Sequence, residues 1–163
     1  MKRTDIIKAK IIGGIELERE LAMIKFLGKK VVFTNGCFDI IHRGHIEYLA
    51  QAADLGNSLI IGLNTDISVK RLKGPSRPIN NEQARAIVLA SLQYVSYVVL
   101  FDEDTPYNLI KHVQPDVLVK GGDYNPEDII GYDIVKANYG QILTIPFVQG
   151  FSTTSILNKM KPD

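Results

Sequence analysis

Short apolar runs alternate with amphipathic stretches along the chain from residue 30 onward. Four runs rich in branched and aromatic residues predict strands at 31–34, 58–63, 95–100 and 116–119, and residues 141–145 predict a fifth. Helical spacing predicts helices between them, at 44–55, 81–92 and 106–113, and a last helix at 152–160. Continuous apolar strands that alternate with helices are typical of a parallel sheet covered on both faces. We therefore predict an α/β fold with a doubly wound sheet of about five strands.

The first 28 residues have a different pattern. Leu17, Leu21, Ile24 and Leu27 have helical spacing, and Gly28 is suited to end that helix. We interpret residues 1–28 as a helical extension that packs on the sheet or serves as a linker, and residues 29–163 as one α/β domain. The long loop at 73–81 is rich in turn residues, and loops of that length often carry function.

The composition limits the class of protein. The chain has 163 residues, 45% of them hydrophobic and 23% charged, which is typical of one soluble globular domain. No apolar run approaches the roughly 20 residues of a membrane span, and residues 1–10 lack the apolar core of a signal peptide. The formal net charge of +1 gives no general attraction to nucleic acid, and the single cysteine, Cys37, excludes an intrachain disulfide. These features predict a cytoplasmic protein with no membrane or nucleic-acid partner.

The segment 34–45 carries the strongest candidate chemistry. It joins the first predicted strand to a helix through a glycine-containing turn, which is where doubly wound sheets bind ligands. Gly36 lets backbone N–H groups approach a phosphate, and the start of the helix offers unpaired N–H groups. His42 and His45 are three residues apart, so both imidazoles can face one phosphate, and Gly44 keeps that face open. Donors aimed at phosphate oxygens favour phosphoryl or nucleotidyl transfer without a covalent nucleophile.

Other interpretations of this segment stay open. Two histidines are equally consistent with ordinary polar residues at a strand-to-helix junction. A zinc site would need further ligands, and neither Cys37 nor His112, which falls in a later predicted helix, is a convincing one. Cys37 is better explained as a small residue in a tight turn than as a nucleophile, because no base is assured beside it.

Three further segments fall at the same predicted edge of the sheet. The second strand is followed by four cations, which either clamp a polyphosphate or form a solvated basic face: Lys70, Arg71, Lys73 and Arg77. Residues 119–124 end another strand with two glycines and Asp123, where the glycines can simply satisfy a turn. The hydroxyls of Ser152, Thr153 and Thr154 can cap the last helix or donate to a phosphate. Phosphate binding explains all of these segments together more readily than four separate structural roles do.

Together these residues resemble the cytidylyltransferase-like nucleotidyltransferase family, whose hallmarks are a Gly-x-Phe-Asp turn, a His-x-Gly-His motif and a late Ser-Thr-Thr segment. The matching stretches are 36–39, 42–45 and 152–154. More narrowly, the chain is similar to the adenylyltransferase domain of ADP-heptose synthases over about residues 15–160, through 33–39, 68–74, 77–78, 104–106 and 118–124. The resemblance implies a Rossmann-like fold of the His-x-Gly-His type, with residues 29–163 as the nucleotidyltransferase domain.

The resemblance also implies a reaction. D-glycero-β-D-manno-heptose 1-phosphate would attack the α-phosphorus of ATP directly, giving ADP-heptose and pyrophosphate for lipopolysaccharide or other surface glycan assembly. Mg²⁺ would be bound mainly through the phosphates, with no protein-only metal site. The partners implied are ATP, a sugar 1-phosphate, a second copy in a homodimer, and a separate heptose kinase, because the kinase domain that many heptose enzymes carry is missing from this sequence.

The resemblance assigns roles to residues in three groups. The catalytic group is His42, His45 and Lys73. The nucleotide- and phosphate-binding group is Gly36, Cys37, Phe38, Gly44, Lys70, Ser152, Thr153 and Thr154. The candidates for the acceptor or a metal are Asp39, Lys120 and Asp123.

The sequence departs from some relatives in one position, because an arginine that precedes their Gly-x-Ser-Thr-Thr segment is replaced by residues 146–149, Pro-Phe-Val-Gln. Arg77 or Arg85 are candidates to replace its phosphate contact. Two alternatives to the implied function remain. One is the same chemistry on glycerol 3-phosphate or phosphoethanolamine, with CTP in place of ATP, and the other is a non-catalytic nucleotide-binding module.

Overall fold

The computed structural model describes residues 2–159 and confirms an α/β fold around one five-stranded parallel sheet. The strands are β1 (Val31–Gly36), β2 (Ser58–Asn64), β3 (Tyr97–Phe101), β4 (Val117–Gly121) and β5 (Gln141–Ile145). The helices are α1 (Arg3–Lys8), α2 (Gly14–Phe26), α3 (Arg43–Ala53), α4 (Asp66–Lys73), α5 (Glu82–Ala90), α6 (Tyr107–Val113), α7 (Tyr132–Ala137) and α8 (Thr153–Lys159), with a 3-10 turn at Pro126–Asp128. The predicted end of the last helix, at residue 160, lies outside the described residues.

The strands lie in the order β3-β2-β1-β4-β5, and every neighbouring pair is parallel. The central strand β1 pairs with β2 from Val31 opposite Ser58 to Gly36 opposite Leu63, and with β4 on its other side. The chain winds outward from β1 to β3 and then crosses back to β4. Such a reversal opens a crevice at the carboxyl ends of the strands, so a ligand is expected beyond the ends of β1 and β4.

Each face of the sheet is covered by helices around its own apolar core. On one face Leu49 of α3 and Leu89 of α5 are fully buried. On the other face Leu21 of α2 and Ile110 of α6 are buried. All seven residues of β2 are buried, which explains why this strand is a continuous apolar run and not an alternating one.

The segment before β1 packs on the sheet. Leu17, Leu21 and Ile24 form the buried stripe of α2, with the spacing that the sequence predicts. Upstream, Ile11 forms a parallel bridge with Val98 of β3, and the Val98 backbone N–H donates to Lys10. This pairing covers part of the outer edge of β3, which would otherwise be open to pairing with another chain. The division of the chain at residue 28 stays a prediction.

Several elements were not predicted from periodicity because they bury few residues. α4 occupies a stretch that the sequence marks only as basic, and its buried residues are Ser68 and Val69. α1 has no buried residue, and α7 buries Val135. Strand β3 begins at residue 97 and not at 95, because the backbone N–H of Val95 donates to Leu92 in the turn after α5. Among residues 2–159, no helix combines the length and the apolar character needed to cross a membrane.

Candidate active site

A cleft of about 450 Å³ opens beyond the carboxyl end of β1. Ten of the sequence-predicted site residues line it: Gly36, Cys37, Phe38, Asp39, His42, Gly44, His45, Lys73, Ser152 and Thr153. Five residues without a predicted role also line it: Asn35, Tyr48, Phe147, Val148 and Phe151. The structure therefore brings together three of the four predicted segments, which are separated by up to about a hundred residues in the sequence.

The turn after β1 is tightly folded around one aromatic ring. Phe38 has a left-handed backbone conformation, with φ of 43°, and is only 6% exposed. Its ring lies against the end of β1: a Cβ on Gly36 would be only 3.0 Å from the Phe38 ring. A glycine at position 36 therefore allows the turn to close over Phe38, which in turn supports the histidine above it.

His42 and His45 form a stacked pair at the start of α3. His42 is the N-cap residue, in extended conformation, and its carbonyl accepts from the backbone N–H of His45 at 2.9 Å. The ring centroids of the two imidazoles are 3.8 Å apart with an interplanar angle of 22°, and the Phe38 ring meets His45 edge-on at 5.3 Å. The Nδ1 atoms of both histidines are buried without a hydrogen-bond partner. Both imidazole rings line the cleft, so a bound ligand would contact this pair.

Burial makes both imidazoles difficult to protonate. Desolvation lowers the pKa of His42 below its usual value. The pKa of His45 falls to about 4, first because of burial and then because of the nearby charges of His42 and Lys73, with a backbone contact to Ile40 opposing the decrease. Both rings are therefore neutral near pH 7 in the free protein. An anionic ligand would favour the protonated form and reverse these shifts.

Gly44 separates the two histidines in sequence and allows them to stack. A Cβ at this position would lie 3.1 Å from Nδ1 of His42 and 3.4 Å from the Cβ of Phe151. Gly44 therefore permits close contact between the start of α3 and the segment that leads into α8. This is a more specific role than the open face that the sequence predicts.

Of the four predicted cations, Lys73 is the one that lines the cleft. It is the last residue of α4, and its charge is close enough to depress the pKa of His45. Lys70 is exposed on the same helix and does not line the cleft. Arg71 is directed elsewhere, since its Nε donates to Asp104 at 2.8 Å. Arg77 forms an ion pair with Asp39 at 2.7 Å.

The Asp39 carboxylate is occupied by the protein itself. It is 3% exposed and accepts hydrogen bonds from Arg77 and from the backbone N–H groups of Ile79 and Asn80. Burial alone would raise the pKa of Asp39, but these donors together outweigh it and lower the pKa below its usual value. Asp39 lines the cleft, but its carboxylate oxygens bind the loop that follows α4. A direct role on the acceptor or a metal stays a prediction, and this geometry does not favour it.

The two other acceptor candidates differ from each other. Lys120, near the end of β4, donates from Nζ to Asn35 at 2.7 Å, and burial lowers the pKa of Lys120. Because Asn35 lines the cleft, Lys120 lies directly behind the cleft wall. Asp123 is exposed, and it is not among the residues that line the cleft. The structure therefore places Lys120 closer to the site than Asp123.

The segment before α8 forms the opposite wall of the cleft. Phe147 packs over a glycine pair, since Cβ atoms on Gly121 and Gly122 would lie 2.7 and 2.9 Å from its ring. Phe151 lies beneath the Arg43 guanidinium, 5.5 Å from the ring centroid. Ser152 and Thr153 follow at the start of α8, where the sequence predicts phosphate contacts. The side chain of Thr154 lies outside the described side chains.

Arg77 and Arg85 do not take the place of the arginine that some relatives carry. The Arg85 side chain is buried, and its guanidinium donates to the carbonyls of Cys37 and Asn64 and to the carboxylate of Asp66. Arg77 is held by Asp39. Neither lines the cleft, and both arginines support the surrounding backbone, so this geometry does not favour a phosphate contact from either.

Two of the cleft residues without a predicted role, Tyr48 and Asn35, can be identified from their positions in the sequence. Tyr48 lies one turn after His45 on the same face of α3, where its hydroxyl bonds Thr34 at 2.6 Å, so helical spacing identifies it. Asn35 is the residue before the last one of β1, at the edge of the sheet where ligands bind. Phe147 and Phe151 cannot be identified in this way, because their position depends on how the segment after β5 folds across the sheet edge.

Within residues 2–159, no group of three or more histidine, cysteine, aspartate or glutamate side chains is placed to hold a metal ion. The Asp39 carboxylate, the acidic group that lines the cleft, already accepts hydrogen bonds from the loop.

The cleft lies at the edge of a doubly wound sheet and contains two neutral imidazoles at a helix N-terminus and a lysine. This arrangement is typical of enzymes that bind a nucleotide and transfer a phosphate-containing group. The family model described as cytidylyltransferase-like matches residues 33–159. The chain belongs to this family, and it is a nucleotidyltransferase. The match includes every residue that lines the cleft, from Asn35 to Thr153.

Two curated relatives have the name "Bifunctional protein HldE". The protein from Campylobacter concisus is 59% identical over 133 residues, covering 82% of this chain and 27% of the relative. The protein from Rhodopseudomonas palustris is 52% identical over 153 residues, covering 93% of this chain and 31% of the relative. The chain therefore spans less than a third of the length of these relatives.

Solved structures agree on the fold. A lipopolysaccharide core biosynthesis protein from Thermoplasma volcanium is 26% identical, with a TM-score of 0.59, over 74% of this chain and 98% of that chain. A pantoate-beta-alanine ligase from Francisella tularensis has a TM-score of 0.58 over 90% of this chain and 75% of that chain, at 15% identity. The second likeness concerns the fold alone.

Proposed function

We propose that the chain transfers AMP from ATP to D-glycero-β-D-manno-heptose 1-phosphate, giving ADP-heptose and pyrophosphate. The observation that carries the transfer chemistry is the stacked His42–His45 pair, which lines one cleft together with Lys73. The choice of acceptor rests on the sequence resemblance to ADP-heptose synthases. It is supported by the HldE relatives and by the solved structure of a lipopolysaccharide core biosynthesis protein.

In this reaction an oxygen of the sugar phosphate attacks the α-phosphorus of ATP, and the bond from that phosphorus to the bridging oxygen of pyrophosphate breaks. Negative charge develops on the phosphate oxygens, so donors that are already in place stabilise the transition state. The imidazoles of His42 and His45, which line the cleft, are proposed to supply such donors without a covalent intermediate. The ammonium of Lys73 neutralises charge on the same phosphates.

The other groups bind and orient the substrates. The hydroxyls of Ser152 and Thr153 are proposed to contact the β- and γ-phosphates from the opposite wall. Mg²⁺ would be bound by the triphosphate and would reduce its negative charge. Lys120, whose ammonium lies behind Asn35, is proposed to attract the acceptor phosphate. The proposal also includes a cytoplasmic homodimer with residues 29–163 as the nucleotidyltransferase domain, supplied with its acceptor by a heptose kinase.

Pyrophosphate release is the direct test of this proposal. The protein is mixed with Mg²⁺, ATP or CTP, and a panel of acceptors that includes heptose 1-phosphate, glycerol 3-phosphate and phosphoethanolamine. Release with ATP and heptose 1-phosphate alone is the expected result. Release with another acceptor would retain the transfer chemistry and reject the assigned substrate. ATP binding without release across the whole panel would indicate a non-catalytic nucleotide-binding module.

A further inference from the structure

The buried Asp39–Arg77 pair joins two parts of the chain that border the cleft. Asp39 belongs to the turn after β1, whereas Arg77 belongs to the loop between α4 and α5. The Asp39 side chain is 1% exposed and the Arg77 side chain 15%, and Nε of Arg77 lies 2.7 Å from the carboxylate. An ion pair at this depth has a defined geometry, in contrast to an exposed pair whose side chains remain mobile.

Asp39 holds the loop through its backbone as well as through the Arg77 side chain. The backbone N–H groups of Ile79 and Asn80 each donate to its carboxylate at 2.9 Å. In return, the Asn80 side chain donates to the backbone carbonyl of Asp39 at 2.8 Å. The loop from residue 77 to 80 is therefore fixed to the turn that carries Phe38. Phe38 in turn contacts the ring of His45.

Lys73 lies at the other end of the same loop. Helix α4 ends at Lys73, and Gly74 follows with φ of 93° and with open space where a Cβ would lie. The backbone N–H of Arg77 donates to Gly74 at 3.1 Å, which closes the turn between Lys73 and the Asp39 contact. The backbone after Lys73 is thereby linked to the part of the loop that Asp39 holds.

We propose that Asp39 and Arg77 are positioning residues, which place Lys73 in the cleft and thereby set the affinity for the nucleotide triphosphate. This inference rests on the phosphate-binding role of Lys73 given above. It assigns Asp39 a different function from direct binding of the acceptor or a metal, because its oxygens are already used by the loop. Arg77 acts through Lys73 and not on the phosphates.

The test measures ATP binding by calorimetry, without an acceptor, so that an error in the assigned sugar does not affect the result. Lys73→Ala and Arg77→Met should each weaken ATP binding about tenfold, the scale of one lost charged phosphate contact. The Lys73→Ala/Arg77→Met double variant should bind ATP as weakly as Lys73→Ala alone, because both changes remove the same contact. Losses that multiply in the double variant would overturn the proposal, as would wild-type affinity in Arg77→Met.

Two further variants separate positioning from general stability. Arg77→Lys retains a cation that can reach Asp39, so it should restore part of the affinity. Arg71→Met is the matched control, because Arg71 also pairs with carboxylates but lies outside the cleft lining, and its ATP affinity should remain within about twofold of wild type. An equal loss in Arg71→Met would show that affinity follows loop stability in general, which contradicts a specific role for Arg77.

Asp39→Asn distinguishes positioning from metal binding. ATP affinity is measured with Mg²⁺ and again with the metal chelated, after thermal melting has established that the variant is folded. If Asp39 is a positioning residue, the substitution should lower the affinity for ATP by the same factor under both conditions. A loss restricted to the Mg²⁺ condition would identify Asp39 as a metal ligand and overturn the proposal.

Discussion

The two walls of the cleft are held in different ways. One wall, which we call the β1 wall, is formed by the turn after β1 and the start of α3, and it is held by buried contacts. Phe38 and Asp39 are 6% and 3% exposed, and buried Arg85 donates to the Cys37 carbonyl at 2.6 Å. On the opposite wall Phe147 and Phe151 are 70% and 40% exposed. The contacts of these two aromatic rings are packing contacts on Gly121–Gly122 and beneath Arg43.

This difference indicates that the two walls contribute to different steps, one to catalysis and the other to substrate binding. Groups that stabilise a transition state must be in place before the reaction, because reorganisation at that moment reduces their effect. The β1 wall, with its stacked histidines, meets that requirement. The exposed wall is suited to contacts that form when the substrate binds, and such contacts affect affinity more than turnover. Substitutions in the two walls should therefore differ in both size and kinetic character.

The largest effect is expected for His45→Ala. The loss of a preorganised donor should lower kcat by about 100-fold or more while ATP binding changes little. The measurement is steady-state pyrophosphate release together with ATP calorimetry. His112→Ala is the matched control, because this third histidine is exposed on α6, outside the cleft lining. Equal kcat in His45→Ala and wild type would refute a catalytic role for the pair.

A second prediction concerns the stability of the β1 wall against acid. The pKa of His45 is about 4 in the folded protein and near 6.5 when unfolded, so the unfolded state binds more protons between these values. The free energy of unfolding should therefore fall as the pH is lowered from 6.5 to 4. With allowance for solvent screening of a partly exposed ring, His45 should account for about 2 kcal/mol of this loss.

Denaturant unfolding of wild type and His45→Gln at several pH values measures this contribution. At pH 8 the imidazole is neutral in both states, so the difference between the two proteins reports packing alone. Between pH 6.5 and 4 the variant should lose less stability than wild type. Parallel curves for the two proteins across that range would mean that His45 is not buried as the structure has it.

The same two walls explain how much of the molecule can be predicted from sequence. The β1 wall is formed by residues that are close in sequence. Residues 34–45 form the end of one strand, a turn and the start of a helix, and this order alone places His42, Gly44 and His45 together. The strand periodicity predicts the sheet, because burial on both faces makes each strand a continuous apolar run. Sequence spacing also identifies the buried stripe of α2, through Leu17, Leu21 and Ile24.

The remaining features depend on contacts between distant residues. Asp39 and Arg77 are 38 residues apart and meet through an irregular loop, so no periodic pattern predicts that Asp39 is already bonded. Arg85 lies on α5, where a charged residue is expected to face solvent, yet it is 1% exposed because the carbonyls of Cys37 and Asn64 accept its N–H groups. The role of a polar residue thus depends on which acceptors the fold brings to it.

The smallest effect is expected for the exposed wall, with Thr153→Val. This change keeps the shape of the side chain and removes the hydroxyl that is proposed to contact a phosphate. A hydrogen bond from an exposed hydroxyl to a charged phosphate contributes about 1.5 kcal/mol, so KM for ATP should rise about tenfold while kcat stays near that of wild type. Thr153→Ser, which retains the hydroxyl, should restore KM. A kcat loss comparable to that of His45→Ala would mean that both walls act in the transition state, and the division between them would then be wrong.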